Sequence, residues 1–239
     1  MVMLALLLGL GALAAPVKPG IIASKSVALD YRNSWPREAA AIPALNRELR
    51  IEAEGSLERG RRDAAEDLRS AREDKRPFHQ HYFALAWRTV GQSDTLLSLQ
   101  SRADIYTGGA HPVSTWRSIL WDRRAGKPVR MGDLFTISSS FGALTRRAYC
   151  KALDTERLER REGRQLGGDF DECPKFADLS ITPIDKSKDG RFDAIAYVAS
   201  PYTAGPYVEG AYSITLPLTR RLIAAMKPRY RSSFVAQRQ

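Results

Sequence analysis

Apolar residues follow a helical period through residues 37–74. They recur at steps of three, four or seven residues, so they form one face of an α-helix. The positions are Ile42, Leu45, Leu49, Ala53, Leu57, Ala64, Leu68 and Ala71. Ser34 is expected to cap this helix, whereas Pro43, Gly55 and Gly60 weaken it. The pattern predicts a long N-terminal helix with a kink or a break.

Segments rich in alternating apolar or β-branched residues predict strands on both sides of this helix. The predicted strands cover residues 26–31, 78–90, 95–106 and 114–122. Turn residues separate the last three strands, so we expect them to form an antiparallel meander.

The second half of the chain also has a helical pattern followed by strands. A helix is predicted over residues 140–160, with apolar residues at Phe141, Leu144, Ala148, Ala152 and Leu158. Strands are predicted at 179–184, 191–199 and 208–216, and a short helix at 218–226. The sequence therefore predicts an α+β fold, with antiparallel sheets on which the long N-terminal helix and the second helical segment pack.

The order of these elements suggests that a β-α-β-β-β plan occurs twice. The halves are expected at about residues 24–122 and 128–219, followed by a helix end and a basic tail at 220–239. No low-complexity linker separates the halves, so we expect one domain over residues 24–219.

The first residues of the chain are typical of an export signal. An apolar run ends in Ala12-Leu13-Ala14, the small-residue pattern of a cleavage site. The run is shorter than the roughly 20 residues that cross a bilayer. We therefore expect a signal peptide at residues 1–14, a periplasmic or secreted protein, and no transmembrane segment in the mature chain. A buried N-terminal helix is the alternative.

The two cysteines of the chain, Cys150 and Cys173, favour the same compartment. An even cysteine count in an exported chain indicates a disulfide. Two unpaired thiols are the alternative, and the absence of a Cys-x-x-Cys pair argues against a metal site.

Charge narrows the class of partner. The net charge is +10, which favours anionic surfaces. The sequence contains no nucleic-acid motif and export argues against such a partner, so we expect no nucleic acid. Anionic envelope polymers or lipid headgroups are the better candidates.

The candidate metal ligands are few. His79 and His81 are expected to face the same way on a strand, and His111 is the third histidine. Residues 185–190 resemble the start of a calcium loop, but Ala196 stands where the bidentate glutamate belongs. We therefore predict a hairpin turn there, and neither a metal nor a cofactor.

The sequence assigns no catalytic residues. It contains neither Gly-x-Ser-x-Gly nor His-Glu-x-x-His. Asp104, His111 and Ser114 lie within ten residues, an arrangement that chance produces as readily as function.

Two glycine-containing loops are the candidate ligand-binding residues. The first has Gly108 and Gly109 between Tyr106 and His111, and adjacent glycines allow close approach to the backbone. The second, at residues 201–212, has Tyr202, Gly205 and Tyr207. Tyrosine presents an apolar face and a hydroxyl, which suits sugars and proteins. The alternative is that both loops are rigid turns whose aromatic rings cover the sheet.

These loops also carry a family resemblance. Residues 106–111 read Tyr-Thr-Gly-Gly-Ala-His, Asp133-Leu134-Phe135 follow, and residues 201–210 read Pro-Tyr-x-x-Gly-Pro-Tyr-x-x-Gly. Together they resemble the extracytoplasmic domain shared by the lysozyme-sensing anti-sigma factor RsiV and the peptidoglycan deacetylase PdaC, over about residues 24–219. The resemblance implies an α+β fold and residence in the envelope, without implying an activity.

Three functions follow in order of preference. The first is a non-catalytic cell-envelope module that binds peptidoglycan or a related anionic glycan. The second is a protein–protein module, such as a lysozyme inhibitor or part of an envelope sensor. A basic lysozyme is disfavoured because the chain itself carries a net charge of +10. A metal-dependent hydrolase ranks third.

Overall fold

The computed structural model describes residues 16–237 and shows an α+β fold with one sheet of six strands and one of three. The predicted signal peptide lies outside the described residues. The α+β fold class is confirmed.

The first sheet contains β1 to β6 in sequence order. Its strands are β1 Gly20–Lys25, β2 Leu29–Trp35, β3 His81–Gln92, β4 Leu96–Tyr106, β5 Val113–Asp122 and β6 Lys127–Pro128. The second sheet is antiparallel and contains β7 Ser180–Ile184, β8 Ala194–Ala199 and β9 Tyr212–Pro217. The α-helices are α1 Arg37–Ala40, α2 Pro43–Glu73, α3 Ser140–Arg160, α4 Arg220–Ala224 and α5 Pro228–Arg231. Short 3₁₀ helices lie at Met131–Leu134, Gly168–Phe170, Phe176–Asp178 and Tyr207–Glu209.

The first sheet is mixed rather than wholly antiparallel. Strands β2 and β3 are parallel, and the other neighbouring strands are antiparallel. Helices α1 and α2 connect β2 to β3, and a helical crossover returns the chain to the end of the sheet where it started. The expected antiparallel arrangement therefore fails at this one pair.

The long predicted helix breaks at Ala41 and Ile42. Pro43 occupies the first turn of α2, where its missing N–H costs no hydrogen bond. The predicted apolar face is confirmed, because Leu45, Leu49, Ala53, Leu57, Ala64 and Ala71 are buried. Ser34 is not the cap; it lies in β2, and Pro36 precedes α1.

The predicted strand at residues 26–31 is confirmed only in part, because residues 29–31 begin β2 whereas residues 26–28 form a turn. Ser26 begins a turn, and its hydroxyl accepts hydrogen bonds from the N–H groups of Ala28 and Leu29. This side-chain-stabilised turn joins β1 and β2 as a hairpin. The prediction therefore joined this turn to the first residues of β2.

Strand β4 is buried on both faces. Leu97 and Leu99 pack with α2, whereas Leu96 belongs to the core on the other side of the sheet. The Ser98 hydroxyl donates to the Pro183 carbonyl of β7 at 2.7 Å. The second sheet thus packs on the face of the first sheet that α2 leaves free.

Gly91 allows the two sheets to approach closely. It lies at a register shift in β3, where the Asp185 N–H donates to the Val90 carbonyl at 3.0 Å. A Cβ atom at Gly91 would lie 2.7 Å from the Phe192 ring. A larger residue here would force the sheets apart.

Helix α3 has the predicted bounds but a different buried face. Its buried residues are Phe141, Thr145, Tyr149, Leu153 and Arg157. Ala148 is exposed, and Leu158 is 41% exposed. The predicted apolar stripe was therefore wrong at these positions, because polar and aromatic residues occupy the core-facing side.

The packing continues beyond residue 219. Met226, Tyr230 and Phe234 are buried in the core that contains Leu96, on the side of the first sheet opposite α2. The Tyr230 hydroxyl donates to the Asp122 carboxylate at 2.9 Å. The basic C-terminal segment is therefore integrated with the fold over its described residues.

The suggested duplication extends only to a helix followed by three strands. Helix α3 precedes β7, β8 and β9 as α2 precedes β3, β4 and β5. The hairpin of β1 and β2 has no counterpart in the second sheet.

Between residues 16 and 237, no helix is both long and apolar enough to cross a membrane.

Cys150 on α3 and Cys173 in the loop before β7 form a disulfide, with Cα atoms 5.5 Å apart. The predicted pairing is confirmed. Closing a loop of this length limits the unfolded chain, so we expect the Cys150→Ala/Cys173→Ala variant to lose about 3 kcal/mol of unfolding free energy. Urea unfolding at neutral pH measures the loss. Reductant should have the same effect on the wild type and none on the variant; equal midpoints would contradict the role of the cross-link.

Candidate functional site

The two predicted ligand loops meet on one surface. The Tyr202 hydroxyl lies 3.2 Å from His111 Nε2, and the Tyr207 hydroxyl donates to the Pro112 carbonyl at 2.8 Å. The rings of His111 and Tyr207 stack with their centroids 3.7 Å apart. His111, Tyr202 and Tyr207 form the Tyr-His cluster.

Strands from both sheets position this cluster. The first loop follows β4 and leads into β5, and the second connects β8 to β9. The Ser200 hydroxyl, at the start of the second loop, accepts a hydrogen bond from the Trp116 N–H of β5 at 3.3 Å. The cluster therefore lies where the two sheets meet.

Tyr202 is held in an unusual conformation and still faces solvent. Its φ is +70°, a region that non-glycine residues rarely adopt, and its side chain is 54% exposed. Such strain persists only where the surrounding structure fixes it. Val208, which follows Tyr207 in the chain, is 89% exposed and adds an apolar side chain next to the cluster.

The residues of the first loop differ in their roles. Gly108 has a φ of +85°, which requires glycine in practice. Nothing lies within 4 Å of a Cβ at Gly109, so its backbone is accessible. The Tyr106 ring makes an edge contact with His79, with centroids 6.4 Å apart. Tyr106 therefore lies beside the Tyr-His cluster without joining it.

Gly205 lies within the second loop and is buried. A Cβ at this position would overlap the Glu209 carboxylate and lie 3.0 Å from the Tyr212 ring. Its contribution to the site is to make room for Glu209 rather than to contact a ligand.

Arg157 of α3 supports the second loop from below. This guanidinium is buried and donates to the carbonyls of Ala204 at 2.9 Å, Glu172 at 2.8 Å and Asp171 at 3.1 Å. It thereby links the Tyr-rich loop to the loop closed by the disulfide.

Arg161, one turn further, holds the Glu209 carboxylate through two hydrogen bonds of 2.8 and 3.0 Å. Tyr212 donates to the same carboxylate at 2.5 Å. Burial alone would raise the pKa of Glu209, but the hydrogen bonds from Arg161 and Tyr212 and the nearby positive charge outweigh it and lower the pKa. Arg160, which lies between Arg157 and Arg161 in the chain, donates to the carbonyls of Glu209 and Ala211.

Sequence reasoning missed these arginines. A charged residue on a helix is ordinarily assigned to solvent. The signal was the spacing of four residues that continues from Phe141 through Tyr149 and Leu153 to Arg157.

The three histidines do not assemble into a metal site. His81 is buried and lies 3.2 Å from the Asp67 carboxylate, whereas His79 is exposed and precedes β3. The expectation that both share one face of a strand was wrong, because β3 begins at His81. In the described part of the chain, no group of three His, Cys, Asp or Glu side chains is placed to hold a metal ion.

The other two candidate arrangements are structural. Ser114 donates to Asp104 at 2.5 Å, and Arg102 also donates to Asp104, while the His111 ring packs against the tyrosines. No catalytic triad is formed by these residues. In residues 185–190, the Asp185 carboxylate accepts backbone N–H groups within the turn between β7 and β8.

Arg157→Met should destabilise the fold by about 3 kcal/mol, because buried carbonyl groups lose their donors. Arg157→Lys should restore little of this loss, since lysine lacks the planar fork that reaches several acceptors. Urea unfolding measures both variants. Arg160→Met, at a partly exposed position, is the control and should cost clearly less; equal losses would contradict the buttress role of Arg157.

Glu209→Gln should weaken the dependence of stability on acid pH. A lowered folded-state pKa means that Glu209 contributes stability above its unfolded pKa of about 4.3, which is lost as the pH falls through the folded value. The variant should therefore be less stable at pH 7 and lose less on acidification. Urea unfolding between pH 7 and pH 3 tests this, with the exposed Glu159→Gln as control. A variant profile parallel to that of the wild type would refute it.

Comparison with known families supports the resemblance found in the sequence, over the first half of the chain. Residues 22–114 match the family model described as Deacetylase PdaC. The matched residues cover β2 to β4, most of β1 and the start of β5. Comparison with curated proteins finds no significant match.

Two crystal structures have a similar fold. A DUF3298 family protein from Pseudomonas aeruginosa PAO1 is 17% identical, with a TM-score of 0.55 over 93% of this chain and 98% of that chain. A DUF3298 family member from Bacteroides fragilis NCTC 9343 is 13% identical, with a TM-score of 0.55 over 90% of this chain and 96% of that chain. The chain thus resembles the PdaC domain over residues 22–114 and shares the fold of these DUF3298 proteins over most of its length.

Proposed function

We propose that this protein is a non-catalytic module of the bacterial cell envelope that binds cell-wall glycan through the Tyr-His cluster. The observation that carries the proposal is that two separate loops bring three aromatic rings together at the surface, with one tyrosine more than half exposed. The resemblance to the PdaC domain and the disulfide are consistent with residence in the envelope.

The chemistry of the cluster suits a sugar. Residues 106–112 and 200–208 contain no Asp, Glu, Lys or Arg. The tyrosine rings present apolar faces to the C–H groups of a sugar ring, and the tyrosine hydroxyls and His111 supply polar partners. Because Arg157 and Arg161 fix the loop from below, little conformational entropy is lost on binding.

A protein partner is the second candidate. Exposed Val208, which follows Tyr207 in the chain, favours it, since exposed apolar side chains mark protein interfaces. A strongly basic lysozyme fits poorly, because residues 106–112 and 200–208 carry no acidic side chain and the chain is itself basic. A neutral or acidic envelope protein fits better.

Co-sedimentation with insoluble peptidoglycan across a salt series tests the proposal. The wild type should be retained at about 0.15 M salt, where charges more than roughly 8 Å apart are screened. Tyr202→Ala/Tyr207→Ala should lose retention because the stacking surface is gone. Alanine keeps the backbone penalty at Tyr202 similar, so the difference reports the side chains.

Ile51→Ala, an exposed apolar position on α2, is the matched control and should be retained like the wild type. Circular dichroism confirms that each variant is folded. Retention that disappears with salt and is equal in all variants would reduce the effect to bulk charge, and the protein partner would take precedence.

A further inference from the structure

The first sheet has a face that is only partly covered. Side chains alternate between the two faces of a strand, and α2 covers the face that includes Leu85 and Leu99. The second sheet covers the other face near Leu96 and Ser98. Beyond Ser98, towards β1, that face is exposed.

This open face is basic and aromatic. By strand register it includes Arg32, Tyr82, Ala86, Arg88, Arg102 and Trp116. All of these side chains are exposed except half-buried Trp116, and Tyr82 is 43% exposed. Two carboxylates, Asp30 and Asp104, share the face and pair with Lys25 and Arg102. The open face is therefore accessible to a ligand.

The positive charges on the open face are not all neutralised. Arg102 pairs with Asp104 and lies over the Trp116 ring at 5.3 Å. Arg88 donates to the Gln100 amide oxygen at 2.9 Å. Within residues 16–237, neither Arg32 nor Arg88 lies within 4 Å of a carboxylate. Two guanidinium groups thus remain to pair with an external anion.

The open face is continuous with the Tyr-His cluster. Trp116 stands at its β5 end, and the Trp116 N–H bonds to Ser200, two residues before Tyr202. Small side chains, Ala84 and Ala86, form the floor between the aromatic residues and the arginines. Arg32 on β2 and Trp116 on β5 are three strand spacings of roughly 4.8 Å apart, so this path is about 14 Å long and can hold a few linked sugar rings.

We infer that the open face extends the glycan site and binds a linear glycan strand that carries carboxylates, with Arg32 and Arg88 pairing with those carboxylates. This inference rests on the proposed function, since the Tyr-His cluster is taken to hold one end of the strand. Charge complementarity favours this occupant, because the exposed arginines would repel a basic partner.

Titration with glycan fragments of two lengths tests the inference. The probes are a peptidoglycan disaccharide peptide and a peptidoglycan octasaccharide, with affinity measured by isothermal titration calorimetry. The wild type should bind the octasaccharide about tenfold more tightly than the disaccharide. Arg32→Gln/Arg88→Gln should bring this ratio close to one and leave disaccharide affinity unchanged.

The matched control is Arg47→Gln/Arg59→Gln, which removes the same charge from exposed positions on α2, across the sheet. This variant should keep the length dependence of the wild type. Equal affinity of the wild type for both lengths, or an unchanged ratio in Arg32→Gln/Arg88→Gln, would overturn the inference while the Tyr-His site stands. A wild type that binds neither probe would overturn the proposed function itself, and the inference with it.

Discussion

Burial of strand β4 on both faces is the constraint on which the rest of the structure depends. A central strand that is apolar on one side only would need a single covering layer. Here Leu97 and Leu99 face α2, while Leu96 and Ser98 face the second sheet. The two layers are thereby fixed relative to each other, and the loops at the ends of β4 and β8 come together as a result. The Tyr-His cluster is a product of this layering rather than of either loop alone.

The second half of the molecule has a polar interior as well as an apolar one. Arg157 of α3 and Arg161, which follows the helix, are buried, yet their donors are directed to carbonyl and carboxylate oxygens. Buried charge is unfavourable unless it is paired and hydrogen-bonded, and both conditions are met here. The geometric demands of a guanidinium fix the second loop more strictly than apolar packing would. This support helps to explain how Tyr202 keeps a strained backbone conformation at the surface.

Much of the fold could be predicted from the sequence, because the spacing of apolar residues indicates both the type of element and its buried face. Helix α3 has its predicted bounds, and β4 and β5 start within one residue of theirs. The failures have physical causes. A hydroxyl-stabilised turn at Ser26 interrupts what reads as a strand, and the parallel pairing of β2 with β3 depends on a crossover that no local pattern encodes.

The candidate site was partly accessible in the same way. Glycine and tyrosine composition located both loops, but only the packing of two sheets brings His111 to Tyr207. Arg157 and Arg161 were missed because their charge assigned them to solvent, although Arg157 continues the four-residue spacing of the buried face of α3. Gly205 was predicted as a ligand-binding residue, and in the structure it makes room for the Glu209 carboxylate.

The cross-link between Cys150 and Cys173 has a consequence for when the surface becomes competent. The loop that it closes supplies the carbonyls of Asp171 and Glu172, which accept from the same guanidinium that holds Ala204. In a reducing compartment this loop would be ordered by its own contacts alone, at a greater cost in chain entropy. Oxidation of the two thiols should therefore strengthen the support beneath the tyrosines, which links this surface to the redox state of the compartment.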